Sequence, residues 1–290
     1  MMRAAVPQVP SEASGKIRSP VLTIEALTKR FTGLTAIESV SFAVRKGEFV
    51  AVIGPSGCGK STLFNIIGGL INEYSGRVLV DGEPIAGAHR AIGMVFQEES
   101  TFPWRTTLDN IAFPLEVAGV KKAEREARAR ELVKLVGLEG FEARYPAELS
   151  GGMRQRTALA RTLAFQPKIL LMDEPFAALD EQTRLLLGDK LLQIQQELQQ
   201  TTLLITHNIA EAVQLADRVV VMTFRPGRVK RIFEIDLPRP RDSAIVSSAA
   251  FGQYVAQIWN DLREEASKGL SASEASLARR SGDNEGGKNA

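Results

Sequence analysis

Gly54-Pro55-Ser56-Gly57-Cys58-Gly59-Lys60-Ser61 decides how this chain is read. It follows Phe49-Val50-Ala51-Val52-Ile53, an apolar run that reads as a buried strand. Two glycines flank four free positions and are followed by Lys and Ser, which is the phosphate-loop pattern. Glycine lets the backbone turn sharply and bring its N–H groups close to phosphate. Lys60 then opens a helix expected to run through Leu70, and the N-terminal dipole of that helix favours the same anion. Lys60 is expected to reach the β- and γ-phosphates, Ser61 to offer its hydroxyl to Mg2+, and Thr62 to help hold the phosphates. Cys58 is either a small loop filler or a thiol activated by Lys60. The chemistry needs backbone N–H groups there, which favours the filler.

A second string, Leu149-Ser150-Gly151-Gly152-Met153-Arg154-Gln155-Arg156, lies at the start of an amphipathic helical pattern reaching about Phe165. Its N–H groups and the Ser150 hydroxyl make a second anion-binding helix start. Ile169-Leu170-Leu171-Met172 is a further apolar run, and it delivers Asp173 and Glu174. In a parallel sheet, ligands bind at the C-terminal strand edge, so the two carboxylates fall beside the phosphate loop. There they can divide the work: Asp173 holds Mg2+ through water, and Glu174 polarises the water that attacks the γ-phosphate. Thr202-Leu203-Leu204-Ile205-Thr206 is a third strand, ending at His207, one of only two histidines. His207 is either structural or a γ-phosphate contact, and its place one strand–helix unit after the acids favours the contact. Gln97 ends the strand Ile92-Gly93-Met94-Val95-Phe96, where it is either a turn residue or a bridge between Mg2+ and the attacking water.

With these residues in order, the chain resembles the ATP-binding-cassette (ABC) ATPases over about residues 21–240. The resemblance is carried by the phosphate loop, Gln97, residues 149–153, Asp173-Glu174, Ala177-Ala178-Leu179-Asp180 and His207. It implies an α/β fold: a P-loop NTPase core with a mostly parallel sheet, an antiparallel β subdomain and an inserted helical subdomain. It places Phe31 where an aromatic stacks on adenine. It also implies a head-to-tail dimer in which residues 54–62 of one chain and Ser150, Gly151, Gly152 and Met153 of a second copy close on each ATP, with Asp180 coupling the two sites. Met153 departs from the commoner Gln at the end of that signature. Phe102-Pro103-Trp104-Arg105-Thr106, Leu108-Asp109-Asn110 and Leu237-Pro238-Arg239-Pro240-Arg241 resemble the cassettes of nitrate/sulfonate/taurine-type importers. The implied partners are transmembrane permease subunits and, indirectly, a periplasmic or extracellular solute-binding protein. The implied location is peripheral, at the cytoplasmic face of the membrane. An exporter or lipoprotein-release ATPase is the alternative that the catalytic residues leave open.

The rest of the chain bounds this reading. At 290 residues it can hold one α/β core plus a helical insertion. No apolar run approaches the roughly 18–20 residues of a membrane span, and no signal segment is expected at the start. A single cysteine argues against an internal disulfide. A net charge of +2 gives no electrostatic case for nucleic acid, and a soluble ATPase of DNA or the ribosome is set aside because the sequence reads as having neither a long coiled-coil insertion nor a second cassette and is not basic. Residues 1–20 and 266–290 read as disordered tails, 98–160 as the helical subdomain, and 241–265 as a helical extension. Phe251, Tyr254, Val255, Ile258, Trp259 and Leu262 form an apolar stripe on that extension, facing either its own domain or a partner. Trp104 is either core of the helical subdomain or a receiving site for a partner helix.

Overall fold

The computed structural model describes residues 20–97, 100–177 and 179–285, with 270–285 as backbone alone. The expected tail at 1–20 lies outside the described residues except for Pro20, which opens the first strand.

Two sheets are built from differently patterned strands. The runs β3 (Phe49–Ile53), β6 (Ile92–Val95), β7 (Ile169–Asp173), β8 (Thr201–Ile205) and β9 (Arg218–Met222) are buried almost throughout. That is the signature of parallel strands covered on both faces. They form a sheet in the order β10-β9-β3-β8-β7-β6, whose edge strand β10 (Val229–Glu234) alone pairs antiparallel. The strands β1 (Pro20–Phe31), β2 (Leu34–Arg45), β4 (Ser75–Val80) and the short β5 (Glu83–Pro84) make an antiparallel sheet in the order β2-β1-β4-β5. The alternation in β1 and β2 buries one face and leaves the other wet.

Successive side chains of the parallel strands enter different cores, as a period of two requires. Ala51, Ile53, Leu170, Met172, Leu204, Val219 and Val221 pack with the helices α2 (Thr107–Val117), α3 (Lys122–Leu135), α4 (Gly151–Ala164), α5 (Glu181–Leu198) and α6 (Ile209–Leu215). Val50, Val52, Leu171, Leu203, Ile205 and Val220 pack with α1 (Lys60–Ile67) and the antiparallel sheet. The helices α2, α3 and α4 pack on one another within the segment read as helical.

Two expectations change and one open alternative is decided. Helix α1 stops at Ile67 rather than Leu70, because Gly68 caps it and Gly69, at φ +77°, turns the chain away. Helix α7 (Ala249–Glu285) runs on where a disordered tail was expected from 266. Its polar composition was misleading: the stretch has no proline and is well supplied with Ala, Glu, Leu and Arg, all good helix formers. Residues 286–290 of that expected tail lie outside the described residues. The stripe on α7 faces its own domain: Phe251, Tyr254, Val255, Ile258 and Leu262 join the core, whereas Trp259 is half exposed and stands off it. No helix among the described residues is long and apolar enough to cross a membrane.

Candidate nucleotide site

The parallel register puts the chemistry on one edge. Val52 pairs with Ile205, Asp173 with Ile205, and Val95 with Met172. Gly54, Thr206, Glu174 and Gln97 therefore leave neighbouring strand ends together.

The phosphate loop spans β3 to α1. Gly57 and Gly59 have φ of +74° and +102°, the left-handed region that L side chains avoid. A Cβ at Gly54 would come within 2.7 Å of the Cys58 sulfur. Cys58 is fully buried, and burial pushes its thiol up against the opposing pull of Lys60, so it fills space as a neutral thiol. The Lys60 ammonium is also buried. Its Nζ donates to the Gly54 carbonyl at 2.8 Å and the Pro55 carbonyl at 3.1 Å, inside the loop it is expected to serve.

Asp173 and Ser61 are joined by a side-chain hydrogen bond. Burial raises the Asp173 carboxyl above its ordinary value, Ser61 and Lys60 oppose this, and Glu174 adds to it. Its Oδ1 is buried with no hydrogen-bond partner. A buried, unsatisfied carboxylate oxygen beside a hydroxyl is a donor set that fits a hard divalent cation such as Mg2+.

Glu174 has φ +45°, a strained conformation for a residue with a Cβ, and its N–H donates to the Ile205 carbonyl at 2.9 Å. This turns its carboxylate toward β8, where Oε2 lies 3.0 Å from Nδ1 of His207. His207 is well exposed, so it can swing to another partner. Gln97 is exposed past the end of β6. Phe31 ends β1, is 46% exposed as a residue, and has the Lys29 ammonium 4.9 Å from its ring centroid.

The second string also forms a helix start. Ser150 is the N-cap of α4 and accepts the Met153 N–H at 3.3 Å, and the first turn carries no acid to repel an anion. Gly151 and Gly152 face Leu179, Thr183 and Leu187 rather than the phosphate loop. Asp180 caps α5, accepting the Thr183 N–H at 2.9 Å, and these hydrogen bonds hold its carboxyl below the usual range. Phosphate loop, acids and His207 are thus brought together within the chain, while residues 150–153 and Asp180 form a separate surface.

The sequence reading missed two neighbours. Glu211, buried at the start of α6, accepts from the Thr206 hydroxyl and keeps its other oxygen unpaired. Arg225 donates from Nε to the Gly57 carbonyl at 2.8 Å. The only sequence cue to Arg225 is the Arg-Pro-Gly turn signal it opens.

The ABC transporter family profile matches residues 37–177. An uncharacterized ABC transporter ATP-binding protein of Methanocaldococcus jannaschii is 50% identical over 86% of this chain and 94% of its own length. This chain belongs to the ABC transporter ATP-binding family. Among other ABC relatives, the aliphatic sulfonates import ATP-binding protein SsuB of Bacillus cereus is 42% identical over 81% of this chain and 94% of its own length. A dimeric ATP-binding cassette solved in a post-hydrolysis state with ADP and phosphate is 32% identical. It covers 75% of this chain and all of its own, with a TM-score of 0.66. Like those cassettes, this ABC chain is an ATPase with a P-loop NTPase fold.

Proposed function

We propose that the chain drives uptake of a small solute (nitrate, sulfonate or taurine-like) as the ATPase of an ABC importer. The observation that carries the ATPase chemistry is the Glu174–His207 pair at 3.0 Å, standing on the same sheet edge as Lys60, Ser61 and Asp173. The importer reading draws on the sulfonate-import relatives at 42–44% identity.

In this reading Phe31 stacks on adenine, and the N–H groups of residues 54–62 with the Lys60 ammonium hold the phosphates. Asp173, Ser61 and Gln97 would hold Mg2+, which when bound offsets the phosphate charge. Glu174 orients and polarises the attacking water, and His207 leaves Glu174 to meet the γ-phosphate. Ser150, Gly151, Gly152 and Met153 of a second copy complete each site, and Asp180 links the two. Trp104, 72% exposed with the Phe102 ring 5.6 Å away, is the aromatic that would meet a permease helix. The chain would then work at the cytoplasmic face of the membrane, beneath permease subunits served by a solute-binding protein.

The test pairs phosphate release with uptake. Glu174→Gln should keep ATP affinity, lower turnover about 100-fold or more, and accumulate a dimer with ATP on size-exclusion chromatography. A Glu174→Gln protein with full turnover would refute the assigned role. A deletion strain should lose uptake of labelled sulfonate, nitrate or taurine and regain it with wild type but not with Glu174→Gln. Unimpaired uptake of all three would overturn the importer reading.

A further inference from the structure

Residues 223–228 join β9 to β10 and form the outer wall of the phosphate loop. Gly227 donates its N–H to the Ala36 carbonyl and accepts the Glu38 N–H, both at 2.9 Å. A Cβ at Gly227 would stand 2.0 Å from the Cys58 carbonyl, so turn and loop meet backbone to backbone. Arg225 completes the wall through its 2.8 Å bond to the Gly57 carbonyl. The same turn is gripped by α7. The Phe224 N–H donates to Glu265 Oε2 at 2.9 Å. The Glu265 side chain is only 3% exposed; Lys268 Nζ lies 2.7 Å and Lys230 Nζ 3.2 Å from its Oε1. Gly269 lets the helix lie close to the Phe224 ring, since a Cβ there would come within 3.1 Å of it.

From this chain of contacts we infer that Arg225 is a positioning residue for ATP, and that Glu265 of the C-terminal helix sets its seat. The peptide unit is planar, so a guanidinium bonded to the Gly57 carbonyl fixes the Gly57–Cys58 plane. In a phosphate loop, the orientation of such planes decides where the N–H groups point. The guanidinium also adds a positive charge beside the polyanion's seat. Glu265 fixes the backbone one residue earlier, so α7 acts on the loop through the turn. The inference rests on the ATP-site reading given above.

The test measures ATP affinity by calorimetry without Mg2+, together with KM and kcat, in the full chain. Arg225→Ala should raise both Kd and KM about tenfold with kcat little changed, and Arg225→Lys should recover part of the loss. Glu265→Ala should shift Kd the same way. The double variant should be no worse than Arg225→Ala alone, because both act on one contact. If Glu265→Ala does not fold, Gly269→Leu displaces Phe224 and reads the same coupling. Unchanged Kd and KM in Arg225→Ala, or losses that multiply in the double variant, would overturn the inference. A drop in melting temperature without a change in Kd would mark a merely structural turn and overturn it too. Wild type that binds ATP but releases no phosphate would sink the ATPase reading alone, and the Kd measurements would still decide the role of Arg225.

Discussion

Lys60 shows how much one side chain carries in this site. Its ammonium is buried and held by the Gly54 and Pro55 carbonyls, so it is kept in place before any phosphate arrives. Hydrogen bonds to charged groups contribute about 1.5–3 kcal/mol. Lys60→Ala should therefore weaken ATP binding by about 10- to 100-fold, measured by calorimetry, and wild-type affinity would remove Lys60 from the site. Asp173, Glu174 and His207 were legible because each sits at or just beyond the end of a strongly apolar strand, where spacing alone predicts a shared edge, and Lys60 because it closes the phosphate-loop pattern. Arg225 and Glu211 were not. Arg225 reaches a loop 168 positions away in sequence, and no local pattern announces such a contact. Trp104 stood between core and surface, and only its exposure decides for the surface.

In the proposed dimer, helix α4 presents the second half of the site. Its N-terminus is capped by Ser150, which is exposed, and carries no acid in its first turn. Ser150→Arg removes the cap, which costs about 1 kcal/mol, and puts bulk and charge where a second copy would present its nucleotide. ATP binding to the single chain should survive while hydrolysis is abolished. Normal phosphate release by this variant would refute completion of the site by a second copy. Strand–helix alternation made most elements readable, but their ends followed other rules. Helix α1 ends early at paired glycines, while α7 extends through a Ser-rich stretch that composition alone assigns to a tail.

The whole molecule ties its periphery to its centre through α7. Phe251 and Ile258 anchor this helix in the larger core, and Lys230, Arg231 and Phe224 hold its middle through Glu264, Glu265 and Asp261. These contacts end at Gly269 among the residues whose side chains are described. A chain ending at Gly269 should therefore keep the melting temperature and the KM for ATP of the full protein. A chain ending at Asn260 loses Leu262, Glu265 and Gly269 and leaves Lys230 without its carboxylates. Losing one partly buried leucine and a cluster of ion pairs amounts to about 2–3 kcal/mol. For a domain of this size that is a melting temperature lower by roughly 4–12 °C. Its KM for ATP should rise as well, because the turn under Arg225 loses its grip. Scanning fluorimetry and phosphate release on the two truncations separate the parts: equal losses in both would place the working end of α7 beyond Gly269, and no loss in either would make the helix a passive cover.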